Sequence, residues 1–205
     1  MILIGYSGHA FVAYDILEAS GNKITGYCDL EEKIHNPFKL PYFGSEFSAE
    51  GKAKIREEGF FISVGENQVR KKIFTLFESE QLFPVNAIHP SATISKHAAI
   101  KSCGIMICAG VCINPLASIG NGAICNTGAI IEHECEVNAF AHIGPGAVLC
   151  GNVIIGEGSF VGAGAVIKQG ISIGKNVTIG AGAVVVKNIG DNEIVVGNPS
   201  KQLIK

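Results

Sequence analysis

The hydrophobic pattern of the second half of the chain repeats every six residues. An aliphatic residue or a cysteine occupies every sixth position from 113 to 185, thirteen times without an insertion. A small or aliphatic residue almost always lies two positions earlier, as at Ala117, Ala129 and Ala141. A helix has about 3.6 residues per turn and cannot keep a period of six on one face, whereas a triangular coil of three short strands can. The pattern therefore predicts a parallel β-helix with about eighteen residues per turn.

Residues one turn apart should stack in neighbouring coils, about 4.8 Å from one another. The repeat extends back to Ile88, Ile94 and Ile100, and it slips by one residue before Ile107. Because side chains alternate along a strand, the residue before each inward aliphatic should point outward. The outward residues form three columns: Cys112, Ile130, Val148, Val166 and Val184; Ser118, Glu136, Ile154 and Ser172; and Met106, Ile124, His142, Phe160 and Thr178.

The first of these columns is apolar, and we call its five residues, from Cys112 to Val184, the apolar column. A continuous apolar patch on an outer face marks an interface. Three prisms that each pack through this face would form a closed assembly. We therefore expect a homotrimer; the alternative is a stripe that faces solvent.

The first half of the chain alternates strand and helix patterns. The predicted strands cover 1–6, 23–30 and 59–65, and the predicted helices cover 10–20 and 67–80. The segment 31–53 is weakly patterned, and we expect mostly loop there. Strands that alternate with helices indicate a small parallel sheet.

Composition divides the chain near residue 85. Residues 1–84 hold 13 of the 15 aromatic residues and 21 of the 34 charged ones, and residues 85–205 hold 18 of the 26 glycines. We expect a small α/β Rossmann-like domain over 1–84 and the β-helix domain over 85–205.

Charge and hydropathy exclude several classes of protein. The formal net charge of −2 gives no general attraction to nucleic acid or to an anionic membrane. The first residues contain neither a basic segment nor a long apolar run, so we expect no signal peptide and no transmembrane helix. Seven cysteines without a C-x-x-C pair indicate reduced thiols in a cytoplasmic protein.

Two corners of the coil flank the apolar column. The glycine corner stacks Asn126, Gly144, Gly162 and Gly180, followed by Thr127, Pro145, Ala163 and Ala181. We expect a smooth groove wall with exposed backbone amides there. The histidine corner stacks Pro115, His133, Gly151 and Gln169.

The histidine corner carries candidate chemistry. His133 followed by Glu134 is typical of a general base that a carboxylate orients. Gly151, one coil above, could offer its backbone N–H to a developing oxyanion. His142 belongs to the glycine corner, about half a coil from His133, so the two histidines should meet only between chains. The alternative is that both histidines are surface residues at turns.

Five segments together resemble the bacterial nucleotide-sugar N-acetyltransferases. They are GYSGHAFVAYDIL, GYCDL, SVGENQVRKKIF, NTGAIIEHECEVNAFAHIGPGAVLCGNV and VGNPSKQLI. The resemblance is to members that acetylate the 4-amino group of UDP-4-amino-4,6-dideoxy sugars, and the sialic acid O-acetyltransferase-like proteins share the same architecture. It implies a left-handed β-helix, a homotrimer and acetyl-CoA as the donor.

The resemblance also implies roles for individual residues. His133 matches the catalytic base, Glu134 the residue that raises its basicity, and Gly151 the oxyanion donor. The positions that match acetyl-CoA contacts are His142, Gly162, Ala163, Gly180 and Ala181. The positions that match nucleotide-sugar contacts are Ser7, Gly8, His9, Asp29, Leu30 and Gly65.

The residues of the first half agree with a nucleotide site but leave the base open. Gly5 and Gly8 follow the first strand in a turn whose amides could meet a pyrophosphate, although the full G-x-G-x-x-G is absent. Asp29 ends the second strand, where a carboxylate can bind a ribose or a base edge. Leu30 follows it where some relatives carry a second acidic residue, so uridine, thymidine and guanosine all remain possible.

The sequence therefore predicts acetyl transfer from acetyl-CoA to the 4-amino group of a nucleotide-linked 4-amino-4,6-dideoxy sugar, with His133 as general base at a subunit interface. The alternatives are O-acetylation of a sialic-acid-like sugar, a trimeric zinc hydrase of the carbonic anhydrase type and a non-catalytic scaffold. We expect no metal, because the slip before Ile107 puts His97 and His133 out of phase.

Overall fold

The second half of the chain is a β-solenoid of about six turns, in a computed structural model that describes residues 1–100 and 103–203. Its short strands form three sheets, one on each side of the prism. The apolar face contains Thr93–Ile94, Cys112–Ile113, Ile130–Ile131, Val148–Leu149, Val166–Ile167 and Val184–Val185. The second face contains Ser118–Ile119, Glu136–Val137, Ile154–Ile155 and Ser172–Ile173. The third face contains Ala87–Ile88, Met106–Ile107, Ile124–Cys125, His142–Ile143, Phe160–Val161, Thr178–Ile179, Ile194–Val196 and Lys201–Gln202.

The coils stack in the predicted register. Ile130 pairs in parallel with Cys112 below it and Val148 above it, and the same spacing holds on the other two faces. Ile88 pairs instead with Ile107. The slip in the repeat is therefore one extra residue in the first coil.

The predicted inward positions form the core of the solenoid. All thirteen residues of the repeat from 113 to 185 are at most 2% exposed. The corners are as tightly packed as the interior. A Cβ at Gly162 would lie 2.5 Å from the backbone nitrogen of Ala181 and 2.6 Å from the carbonyl carbon of Gly180. Close stacking of the coils thus requires glycine at this corner.

The first half is a three-stranded parallel sheet with three helices. Its elements in chain order are β1 Ile2–Ile4, α1 Gly8–Ala19, β2 Gly26–Cys28, α2 Ala49–Glu58, β3 Phe60–Ile62 and α3 Asn67–Ser79. The strand order is β2-β1-β3, so the predicted small parallel sheet is confirmed. Within the described residues, no helix is long and apolar enough to cross a membrane.

The expectation of mostly loop over 31–53 is wrong at its end, where α2 begins. The Ser48 side chain caps this helix by accepting a hydrogen bond from the backbone N–H of Gly51, at 3.0 Å. Only Gly51 and Ile55 of α2 are buried. A helix that buries so few residues has no clear apolar stripe in its sequence.

The third face is covered by the first half of the same chain, which the sequence did not indicate. Met106, Ile124 and His142 were expected to point outward, but they are 0%, 1% and 7% exposed. The side chain of Asn67 donates to the Gly158 carbonyl at 2.9 Å. Met106, Ile124 and His142 are therefore buried at an interface between the two halves, whereas Phe160 and Thr178 of the same column stay exposed.

We expect Gly162→Ala to lower the free energy of unfolding by about 1–3 kcal/mol, because the new methyl group overlaps the next coil. The matched control is Gly8→Ala, since Gly8 begins α1 and no heavy atom lies within 4 Å of its Cβ position. There alanine should stabilise by up to about 1 kcal/mol. Urea denaturation measures both changes, and equal stability of the two variants would contradict the close corner packing.

Candidate active site

His133 and Glu134 form a hydrogen-bonded pair at the histidine corner. Nδ1 of His133 lies 3.0 Å from Oε2 of Glu134. Glu134 has φ +61°, and this left-handed corner conformation turns two adjacent side chains to the same side. Both side chains are about half exposed, at 51% and 56%. A carboxylate that accepts from Nδ1–H leaves Nε2 of the neutral imidazole free to accept a proton.

Gly151 lies directly over the His133 ring. A Cβ at position 151 would be 2.5 Å from Cε1 and Nε2 of His133, so only glycine leaves room for the imidazole. Among the described residues, the Gly151 amide has no hydrogen-bond partner, although its carbonyl accepts from the amide of Gly170. A free N–H donor therefore lies beside the candidate base.

In the glycine corner, the backbone N–H groups without a hydrogen-bond partner are those of the alanines, not those of the glycines. The N–H groups of Gly144, Gly162 and Gly180 donate to carbonyls of the next coil. The expectation of exposed amides is therefore wrong for the glycines, because the inter-coil ladder uses them. The amides of Ala163 and Ala181 have no partner in residues 1–100 and 103–203. Free donors beside small side chains suit the carbonyl groups of an extended ligand.

His142 is held beneath the first half of the chain. The Asn126 Oδ1 accepts the amide of Thr127 at 2.8 Å, so its Nδ2 faces Nε2 of His142 at 3.1 Å. The Asn126 amide therefore donates, and neutral His142 carries its proton on Nδ1. This Nδ1 lies near the Gly65 carbonyl without completing a hydrogen bond. The His142 ring lies 5.9 Å from the ring of His9.

A buried guanidinium joins the two halves next to these histidines. Arg70 is 1% exposed. Its donors reach the carbonyls of Val64, Gly65, Gly122 and Phe140 and the side chain of Asn67, at 2.7–3.1 Å. Gly122 and Phe140 belong to the solenoid, and the other three partners belong to the first half. The guanidinium therefore fixes the segment at Gly65 against the third face.

Burial and the charge of Arg70 keep the histidines beneath it neutral. Burial first, and then the charge of Arg70, lower the pKa of His9 to about 4. The pKa of His142 is also lowered to about 4, by burial, by Arg70 and by His9, against the opposing Gly65 carbonyl. Burial lowers the pKa of Arg70 itself only to about 10. Near neutral pH the site therefore holds one cation and two uncharged imidazoles.

The carboxyl ends of β1, β2 and β3 open into a cleft of about 330 Å³, where parallel sheets bind ligands. The predicted residues Ser7, Asp29, Leu30 and Gly65 line it. Gly8 and Ser7 line an adjoining cleft of about 350 Å³. We call the two together the nucleotide cleft. Most of the predicted nucleotide-sugar contacts thus lie in one place.

Asp29 makes structural hydrogen bonds in this cleft. Its Oδ2 accepts the Tyr6 amide at 2.8 Å. Its Oδ1 accepts the Leu30 amide at 2.7 Å and pairs with Lys33 at 3.1 Å. Asp29 therefore ties the end of β2 to the turn that follows β1.

A third cleft, of about 410 Å³, lies between the two halves. Asn67 lines it from α3, and Phe160 and Thr178 line it from the third face. Gly65 and Glu66 line both this cleft and the nucleotide cleft. The two spaces therefore meet at the segment that Arg70 holds.

Comparison with known proteins places the chain in a family. Residues 1–77 match the model of the PglD N-terminal domain, 134–169 match that of the bacterial transferase hexapeptide (six repeats), and 152–187 match that of the hexapeptide repeat of succinyl-transferase. One similar structure is a His-to-Asn variant of perosamine N-acetyltransferase from Caulobacter crescentus, solved with CoA and GDP-perosamine. It is 34% identical to this chain, with a TM-score of 0.93, and the match covers 100% of this chain and 96% of that one. The chain belongs to the bacterial nucleotide-sugar N-acetyltransferases.

Two further members of the family are similar. The acetyltransferase domain of PglB from Neisseria gonorrhoeae FA1090, solved with acetyl coenzyme A, is 32% identical over 98% of each chain, with a TM-score of 0.87. GDP-perosamine N-acetyltransferase from Escherichia coli O157:H7 is 29% identical over 109 residues, 53% of this chain. The match spans 49% of that enzyme, about half its length.

The structure gathers the candidate residues of this N-acetyltransferase in two separate places. His133, Glu134 and Gly151 share the histidine corner. His142 lies under His9 and the nucleotide cleft, on another face of the prism. Within the described residues, no hydrogen bond or ion pair joins His133 or Glu134 to His142 or to the first half of the chain.

Sequence analysis missed three residues of the site. Lys33 lies four residues after Asp29, a spacing that could have indicated the ion pair. Arg70 is one cation in an amphipathic helix, and nothing in its neighbours predicts burial. Glu46 lines the nucleotide cleft from the weakly patterned segment. In residues 1–100 and 103–203, no group of three His, Cys, Asp or Glu side chains could hold a metal ion.

We expect Arg70→Met to lower the free energy of unfolding by about 3 kcal/mol or more, because three buried and two partly buried acceptors lose their donor. The pKa values of His9 and His142 should rise but stay below the ordinary value, since burial remains. Urea denaturation and NMR titration of the two imidazoles measure these effects. The control is Arg56→Met, whose half-exposed ion pair with Glu80 should contribute less than about 1 kcal/mol. Unchanged imidazole pKa values would contradict the electrostatic role of Arg70.

Proposed function

We propose that the protein is a homotrimeric enzyme that transfers acetyl from acetyl-CoA to the 4-amino group of a nucleotide-linked 4-amino-4,6-dideoxy sugar. The observation that carries this proposal is the His133–Glu134 pair beneath the free amide of Gly151. The solved relative that binds CoA and GDP-perosamine supports the same pairing of donor and acceptor.

In this proposal each residue of the histidine corner has a role. Glu134 holds the Nδ1–H of His133, so that Nε2 accepts the proton that the sugar amine loses. The amine nitrogen forms a bond to the thioester carbonyl carbon, and the C–S bond breaks to give the CoA thiolate. The thiolate takes up the proton held by His133 and leaves as the thiol. Gly151 donates its N–H to the oxygen that becomes negative during this addition. No covalent acyl-enzyme is needed.

Acetyl-CoA would lie along the glycine corner. It supplies an activated acyl group with a thiolate leaving group. Ala163 and Ala181 offer free N–H donors to it, and Gly162 and Gly180 keep the wall flat. His142, on the third face beside this corner, would lie near the acyl end of the ligand.

A second chain would complete the site. The histidine corner and the glycine corner flank the apolar column, whose residues are partly exposed, with Ile130 at 36%. Packing of three chains through this face buries the column and brings His133 of one subunit near the glycine corner of the next. The nucleotide cleft would then hold the sugar so that its amine reaches this interface.

His133→Ala should lower kcat by about 10²–10⁴-fold, because general base catalysis contributes about that much. Thiol release from acetyl-CoA with a panel of UDP-, dTDP- and GDP-linked 4-amino sugars measures the loss. Acetyl-CoA affinity and oligomeric state should not change. The matched control is His97→Ala, an exposed histidine on an earlier coil. Near-normal turnover of the His133 variant would rule out its role as base.

Val166→Glu, in the middle of the apolar column, should convert the trimer to monomers and abolish turnover, because a charge cannot be buried there unpaired. Ile154→Glu places the same charge at an equivalent outward position on the second face and should leave the trimer intact. Light scattering after size exclusion measures both masses. A monomeric wild type, or a trimeric Val166 variant, would contradict the proposed interface.

A further inference from the structure

The nucleotide cleft contains a buried carboxylate with a spare oxygen. Glu46 lines the cleft and is only 4% exposed. Its Oε2 is buried and has no hydrogen-bond partner. An unpaired buried acceptor costs free energy, so such groups in native proteins normally have a partner. A ligand in the cleft is the group that can supply one.

The electrostatics of Glu46 agree with a missing donor. Burial raises the pKa of its carboxyl and the nearby charge of Asp29 raises it further, while the dipoles of its own amide and of Ser45 oppose this rise. Asp29 does not offer a ligand an unpaired oxygen, because its two oxygens already accept the amides of Tyr6 and Leu30. Glu66, the third carboxylate of the cleft, already accepts the amides of Gln68 and Val69. Of the three, Glu46 is therefore the carboxylate open to a ligand.

The walls of the cleft suit a flat ring. Val64 lies on one side, after β3, and Val69 and Ile73 extend the apolar surface along α3. Leu30 lies at the rim and is 72% exposed. Apolar walls with a small number of placed polar groups are typical of a small-molecule site, and the polar groups set its specificity.

On the basis of the proposed function, we propose that Glu46 reads the base of the nucleotide sugar by accepting the N1–H and the 2-amino N–H of guanine. Guanine presents these two donors side by side, which matches the two oxygens of a carboxylate. Uracil and thymine present one N–H between two carbonyl oxygens, and those oxygens would face the carboxylate unfavourably. The cleft would therefore select a guanosine diphosphate-linked sugar.

Calorimetric binding of GDP, IDP, UDP and dTDP to the wild-type protein tests this selection. IDP lacks only the 2-amino group of GDP. We expect GDP to bind about tenfold or more tightly than IDP, because the lost hydrogen bond is to a charged group, and also more tightly than UDP or dTDP. This comparison requires no variant. Equal affinities for GDP and IDP would overturn the assignment.

Glu46→Gln should weaken GDP binding by about tenfold and remove the difference between GDP and IDP, while UDP loses less affinity. The control is Glu57→Gln, since Glu57 lies in α2 with its side chain 66% exposed and outside the cleft. Equal melting temperatures and equal acetyl-CoA affinities would show that both variants are folded. A Glu46 variant that still distinguishes GDP from IDP would overturn the proposal.

These outcomes are separable from a failure of the proposed function. Selective GDP binding without thiol release from acetyl-CoA would leave the role of Glu46 intact and contradict the acetyl transfer. Thiol release with a UDP-linked but not a GDP-linked amino sugar would support the acetyl transfer and contradict the role of Glu46.

Discussion

The arrangement of the two halves depends on the burial of one guanidinium. Arg70 binds carbonyl oxygens from the solenoid and from the segment at Gly65, and among the described residues it has no carboxylate in contact. Its direct contacts are therefore all dipoles, with the charge of Glu66 acting without contact, and the guanidinium charge acts on the imidazoles around it. A group that joins the two halves and lowers the basicity of His9 and His142 couples the packing of the halves to the state of the site.

In the solenoid, the residues that stabilise the fold are different from those that are available for chemistry. Its interior accepts aliphatic residues at every sixth position and small residues two positions earlier, and its inter-coil ladder uses the amides of the strands and of the corner glycines. The residues left free are those that follow the corner, where amides such as those of Gly151, Ala163 and Ala181 have no partner. A pair such as His133 and Glu134 can occupy a corner without disturbing the repeat.

The site shows where sequence reasoning succeeds and where it stops. The stacking of Gly151 over His133 followed from the period alone, since residues one turn apart must lie together. The His133–Glu134 contact followed from adjacency at a corner. The position of His142 did not follow, because its outward side chain is covered by residues distant in sequence, including His9. Glu46 gave no signal, because its burial comes from the fold around a loop and not from a pattern within it.

The sequence by itself determined the β-helix, its register and the positions that line its core, because a local period of six fixes which residues face inward and which residues stack. It also determined the alternation of strands and helices in the first half. Only the tertiary structure decided which outer face the first half covers, which histidines are buried and neutral, and which carboxylate in the nucleotide cleft lacks a partner. These properties arise from contacts between segments far apart in the chain, and no local pattern of polar and apolar residues specifies such contacts.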